Sequence, residues 1–270
     1  GQGAKRLQGA GIDVITGVVE DKCIELLNPF LSLVTTGRPW VCLKMAASLD
    51  GRIAPGPGQN AWLTGEKARA WTHRLRNRSE AILVGRATVA ADDPALTTRL
   101  PRTRGQNPLR VVLDSFLALD PAARVVSGPK EGGPAGGGCL VLTTPQAPGE
   151  RRTRLEAAGA EVKTLPAGPG GVDLEAVLDE LGRRGVMRLL VEGGPRVAGR
   201  FVRAGLVDEV FFLLAPVIIG GENAPGMLSG PDLLEMSEAS HLSEIKTRRL
   251  GPDLLVAARL NRPQKGPQEE

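Results

Sequence analysis

Met187-Arg188-Leu189-Leu190-Val191-Glu192-Gly193-Gly194-Pro195-Arg196-Val197-Ala198-Gly199-Arg200 is the stretch from which the fold class can be read. An apolar run ends in a carboxylate and two glycines. A proline then stands where the first turn of a helix would begin, at the position whose missing N–H costs a helix nothing. The spacing predicts a strand over 187–192 and a helix over 195–204. Glycines let a backbone come close to a ligand, and the free N–H groups of a helix start attract a phosphate or pyrophosphate. Glu192 would then stand at the carboxyl end of a strand, where α/β sheets collect ligands. An ordinary strand-to-helix turn has the same spacing, so from these residues alone both readings stay open.

Outward from this unit the same alternation recurs. Upstream, strands are expected over 40–48, 81–85, 109–114, 139–144 and 160–165, and helices over 65–78, 87–91, 150–158 and 174–183. Thr64 is a candidate N-cap for the first of these helices, without the glutamate of a capping box. Downstream, 209–219 is a long apolar run, and strands over 241–250 and 253–260 meet across Gly251-Pro252. A joint that tight makes an antiparallel pair, because a parallel return needs a longer crossover. The expected architecture is therefore α/β: a mixed sheet, mostly parallel, with an antiparallel C-terminal edge. Residues 11–18 read as a short strand and 20–27 as a helix, set apart from the main body by the hinge-like Thr35-Thr36-Gly37-Arg38-Pro39. The Gly/Pro-rich 128–138 reads as a surface loop and 261–270 as a disordered tail. The N-terminus lacks both a methionine and an apolar signal core, and reads as part of a trimmed chain rather than an export signal.

With 270 residues, 41% of them hydrophobic, the chain is long enough for one large core. Its longest apolar run falls well short of the roughly 18 residues of a membrane helix. The 34 basic and 30 acidic residues leave only short basic groups, at 74–78, 183–184 and 248–249, which read as solvated faces. Three Trp, five Phe and no Tyr supply no stacking stripe, which argues against a nucleic-acid module. Cys23, Cys42 and Cys139 are scattered and odd in number, which points to a reducing, cytoplasmic setting. His73 and His241 are in no ligand-like cluster, so no metal is expected. No G-x-G-x-x-G follows a strand, and no G-x-S-x-G elbow occurs. A chain poor in nucleophiles and metal ligands suits chemistry carried by a bound cofactor.

Two further groups stand out. In the strand around Lys44-Met45-Ala46-Ala47-Ser48-Leu49-Asp50-Gly51-Arg52, Lys44 shares a face with Ala46 and Ser48; an ammonium there is either snorkelled at an edge or turned towards a ligand cleft. After the strand at 81–85 come Thr88, the carboxylate pair Asp92-Asp93, Leu96 and Arg99. Adjacent Asp side chains rarely converge, so one of them is expected to serve a turn or cap. Arg99 and Arg76 offer the fork that suits a phosphate monoester, although Arg76 also fits a solvated run. His73 reads equally well as a structural imidazole or a base.

Lys44-x-x-Ala47-Ser48-Leu49-Asp50-Gly51-Arg52, Trp62-Leu63-Thr64-Gly65, the block from Ala81 to Arg99, Leu113-Asp114-Ser115 and Glu192-Gly193-Gly194-Pro195, in that order, resemble the reductase domain of bacterial bifunctional riboflavin-biosynthesis deaminase/reductases, the RibD family. The resemblance covers 38–260. It implies a sheet similar to that of dihydrofolate reductase, with helices on both faces, and NADPH as cofactor. Residues 1–37 are similar to the tail and linker of the family's deaminase domain, whose zinc signature the chain lacks. The implied reaction is reduction of 5-amino-6-(5-phosphoribosylamino)uracil at the ribose C1 to a ribityl phosphate. The rivals are reduction of the undeaminated 2,5-diamino-6-ribosylamino-4-pyrimidinone phosphate, and a catalytically silent scaffold for a separate deaminase. By matching motifs, the NADPH site is implied at Ala47, Trp62, Thr88, Asp92, Ser115, Gly194, Pro195, Arg196, Val197, Ala198, Gly199 and Arg200. The substrate site is implied at Asn60, Arg76, Leu96, Arg99 and Glu192, with Lys44 as the catalytic group beside the ribose. Asn60 stands where the family usually has serine. The resemblance also implies a homodimer.

Overall fold

The computed structural model describes residues 2–56, 59, 63–100, 105–128 and 137–261. In chain order the elements are α1 (Gln2–Gly9), α2 (Glu20–Thr36), β1 (Trp40–Ser48), α3 (Glu66–Asn77), β2 (Ala81–Gly85), α4 (Arg86–Asp92), β3 (Leu109–Leu113) and α5 (Arg124–Ser127). There follow β4 (Cys139–Thr143), α6 (Gly149–Ala157), β5 (Glu161–Thr164), β6 (Ala167–Gly168), β7 (Gly171–Val172), α7 (Leu174–Arg183), β8 (Arg188–Val191), α8 (Pro195–Arg203), β9 (Glu209–Ala215), β10 (Leu242–Leu250) and β11 (Asp253–Leu260).

Nine strands form one sheet in the order β10-β11-β9-β1-β8-β2-β3-β4-β5. From β9 to β5 every pairing is parallel, and β11 and β10 close the edge antiparallel, as expected. Strand residues alternate between two layers, the period-2 consequence of the pleat. Leu83, Val111, Leu140 and Leu189 face Leu178, Leu181 and Phe201 of α7 and α8. Ile82, Val112, Val141 and Leu190 face Leu75, Val126 and Leu155 of α3, α5 and α6. Buried on both sides, the central strands read as continuous apolar runs rather than alternating ones.

Three expectations are corrected. No strand forms over 11–18: Ile12 and Ile15 are exposed, and among the described residues no strand lies beside them to complete a ladder. The helix expected over 20–27 runs on to Thr36, where Gly37 ends it in the left-handed region, so the hinge-like segment is partly helical. Thr64 does not cap α3; the N-cap is Gly65, whose N–H donates to the buried Asp253 Oδ2 at 2.8 Å, a cap supplied from β11. The apolar run from 209 lies in the sheet as far as Ala215. Asn60, Trp62, most of the Gly/Pro-rich loop and 262–270 lie outside the described residues. Among the described residues no helix is long and apolar enough to cross a membrane.

Candidate active site

Parallel strands aim their carboxyl ends the same way, so β1, β8 and β2 bring Lys44, Glu192 and Gly85 to one edge of the sheet. Leu43 pairs with Val191 and Leu83 with the same residue, and the register carried one step further sets Lys44 beside Glu192. The Glu192 N–H donates to Leu83 O at 3.0 Å, which extends β8 past its last paired residue and fixes the carboxylate. Arg76, on α3, meets that carboxylate in fork geometry: Nε donates to Oε1 and Nη2 to Oε2, each at 2.8 Å. The side chains are 15% and 8% exposed, so this is an ion pair largely removed from water. Burial alone would push the Glu192 carboxyl up; the Arg76 guanidinium, with help from Lys44, overrides it and holds the carboxyl down at about 2. Burial pushes the Lys44 ammonium below its ordinary value, against the pull of Glu192. Lys44 is half-buried and is not snorkelled at an edge, since β1 lies between β9 and β8.

The segment after α4 turns twice through the left-handed region, at Asp93 (φ 37°) and Leu96 (φ 49°). Asp93 makes a tertiary contact rather than a local turn bond: its Oδ1 accepts the N–H of Arg124, the first residue of α5, at 2.8 Å. Leu96 is buried in the core beneath the segment, and Arg99 is exposed on it. Arg76 is thus no member of a solvated run. Two of its donors are taken by Glu192, which leaves Arg99 as the exposed arginine of the two.

The other side of the edge is built by α8 and its neighbours. Thr88 Oγ1 accepts the Gly194 N–H at 2.8 Å, so α4 holds the start of α8 in place. Ala47 and Ala198 are buried in the core, so only their backbones can face a ligand, while Arg196 is exposed. Asp92 ends α4 with its carboxyl raised by desolvation. Ser115 follows β3, its carbonyl bound by Thr144 Oγ1 at 2.8 Å. It meets the ribbon β6–β7, which went unread because two-residue strands carry no period. Gly171 has φ 133°, and a Cβ there would sit 2.6 Å from Ser115 Oγ. Arg200 Nη2 donates to Val172 O at 2.6 Å, while its buried Nε has no partner among the described residues. A half-buried guanidinium beside a serine hydroxyl and a glycine-lined ribbon, with a helix N-terminus close by in sequence, suits an anionic cofactor. These residues fit NADPH.

Ser48 and Asp50 have a different use from ligand binding. Asp50 accepts from Ser48 Oγ at 2.6 Å and from the N–H groups of Ile219 and Gly220 at 3.0 and 2.7 Å, and these bonds hold its carboxyl down at about 2. The motif turn is therefore a clasp on the segment after β9.

The RibD C-terminal domain family matches residues 39–256. The riboflavin biosynthesis protein RibD of Bacillus amyloliquefaciens is 38% identical over 258 residues, covering 96% of this chain and 67% of that protein. A 2,5-diamino-6-ribosylamino-4(3H)-pyrimidinone 5′-phosphate reductase of Methanothermobacter thermautotrophicus is 37% identical over 220 residues, covering 81% of this chain and 97% of that protein. The solved structure of Acinetobacter baumannii RibD superposes with a TM-score of 0.81 at 28% identity, over 97% of this chain and 69% of that one. The chain spans about two thirds of the length of these RibD relatives. It belongs to the RibD C-terminal domain family.

Proposed function

We propose that this chain reduces the ribosyl C1 of a phosphorylated ribosylaminopyrimidine, with NADPH as reductant, to give the ribityl phosphate. The observation that carries the reading is the half-buried Lys44 beside the Arg76–Glu192 pair, at the same sheet edge as the start of α8. When bound, NADPH supplies the hydride. The backbone of 194–200, Thr88, Asp92, Ser115 and Arg200 would hold it, with Ala47 and Trp62. Reduction of an opened sugar builds negative charge on oxygen, or is eased by a proton on nitrogen. The Lys44 ammonium answers either need, as a fixed positive charge or as a proton donor. Glu192, kept ionised by Arg76, keeps Lys44 charged and can accept a hydrogen bond from the substrate. Arg99 is the phosphate ligand, and the family resemblance adds Asn60 and the backbone of Leu96 to the substrate site.

Two relatives bear on the pyrimidine ring. The archaeal reductase, matched over 97% of its length, is named for the 2,5-diamino ring and supports the undeaminated substrate. A Thermotoga maritima structure, at TM-score 0.74 and 29% identity, is described as a deaminase/5-amino-6-(5-phosphoribosylamino)uracil reductase and supports the deaminated one. The test follows NADPH consumption with each compound at equal concentration. A higher kcat/KM assigns the ring, and NADPH binding without turnover of either would overturn the reading in favour of a silent scaffold.

A further inference from the structure

Two side chains one turn apart on α3 reach the backbone of the same short segment, 97–99. Arg76 Nη1 donates to Thr97 O at 3.4 Å, and His73 lies one turn back on the same helix. Nδ1 of His73 accepts the Arg99 N–H at 3.3 Å. His73 therefore grips the backbone just past Thr98, whose own N–H donates to Asn107 Oδ1 at 3.0 Å. The core-facing residues of α3 are Ala68, Thr72 and Leu75. His73 lies off that face and half-buried, so filling the core does not account for it. Burial, then the charges of Arg76 and Arg99, push the imidazole below its ordinary value, against Glu192 and the Thr97 carbonyl. A neutral ring keeps the lone pair that the Arg99 N–H needs.

We propose that His73 is a positioning residue for phosphate recognition: by holding the Arg99 backbone it sets the Arg99 side chain where the 5′-phosphate of the substrate binds. This rests on the reading of Arg99 as the phosphate ligand. It also gives α3 two linked tasks, since the helix that fixes Glu192 through Arg76 fixes Arg99 through His73. The pyrimidine and the dinucleotide do not enter, so the effect is confined to the phosphate.

The test measures the affinity of the full chain for ribose 5-phosphate and for NADPH by calorimetry, in the parent, Arg99→Gln, His73→Leu and His73→Asn. Loss of one backbone hydrogen bond at the ligand's anchor is expected to weaken ribose 5-phosphate about tenfold in His73→Leu. NADPH affinity should stay within about twofold, and His73→Asn, whose amide oxygen can accept near the Nδ1 position, should recover most of the loss. With either pyrimidine substrate, His73→Leu should raise KM and leave kcat nearly unchanged. Unchanged ribose 5-phosphate affinity in His73→Leu while Arg99→Gln weakens it overturns the role of His73 alone. So does NADPH affinity falling in step, or no recovery in His73→Asn. If Arg99→Gln has no effect, or the parent does not bind ribose 5-phosphate, the Arg99 phosphate site is wrong and the inference falls with it.

Discussion

Lys44 is an ammonium half-buried in an apolar strand between β9 and β8, and such a charge is costly unless something at the cleft answers it. Glu192 supplies part of the answer in the free protein. Lys44→Ala is expected to lower kcat by about 100-fold, the scale on which one charge at a developing oxyanion acts. NADPH affinity should move by no more than about twofold, and single-turnover rates near the parent's would remove Lys44 from the chemistry. Because burial lowers its pKa, the ammonium is lost as pH rises through a value below that of an ordinary lysine. The alkaline limb of the kcat profile should therefore begin earlier than for a solvated lysine. Arg200 makes the second prediction at this scale. Its Nη2 is held by Val172 O and its Nε is left over beside the ribbon. If it faces the cofactor's extra phosphate, Arg200→Gln weakens NADPH about tenfold and leaves NADH nearly unchanged in a binding titration. Equal losses for the two dinucleotides would instead make Arg200 a prop for the ribbon.

At the scale of elements, the Arg76–Glu192 pair is the tie between α3 and β8. Removing one partner leaves the other charge buried and unmatched, which costs about 3–5 kcal/mol, whereas removing both leaves no stranded charge. Arg76→Met and Glu192→Gln should each destabilise strongly, and the double variant should be more stable than either alone would suggest when unfolded in urea. The pH dependence has a fixed sign. Glu192 in the folded chain lies at about 2, below its ordinary value, so its contribution is complete above pH 4.5 and is lost as pH falls from there towards 2. Over that window the parent should lose its lead over the double variant; a constant difference would mean the carboxylate is not held by Arg76. Nothing local in the sequence announces this pair, because its members are 116 residues apart and Arg76 sits within a run that reads as solvated. The legible elements were those whose burial leaves a periodic mark: the apolar runs of β1 and β2 and the amphipathic α7 have the expected bounds. Where a partner outside the element decides, local reading fails. Gly65 takes its cap from Asp253, β6 and β7 are too short to show a period, and the run at 11–18 has no neighbouring strand among the described residues. The residues that the resemblance implies divide by side-chain burial, with Ala47 and Ala198 in the core and Arg99 and Arg196 outside it.

At the scale of the molecule, the chemistry gathers at the carboxyl ends of the strands, and the leading helix α2 is fastened at the opposite ends. Its C-terminal turn meets α7 at Gly182, where a Cβ would lie 1.8 Å from the Gly37 carbonyl oxygen. Arg38 then pairs with Asp179 at 2.6 Å and Glu175 at 3.2 Å, and further along α2 Glu25 accepts from Lys246 of β10 at 2.8 Å. These ion pairs are partly or fully solvated and contribute little. The close approach at Gly182 should matter more. Alanine in a helix gains about 1 kcal/mol over glycine, yet a backbone oxygen at that distance must move, and overpacking of this kind costs about 1–3 kcal/mol or more. The balance favours destabilisation: Gly182→Ala should lower Tm by several degrees, and Arg38→Ala by less. Because Gly182 and Lys44 stand at opposite ends of the sheet, NADPH affinity and kcat at low temperature should be those of the parent. A Gly182→Ala protein with unchanged Tm would show that α2 shifts freely on α7. One with unchanged Tm and altered kcat would show instead that the seating of α2 is transmitted through β1 to the Lys44 end.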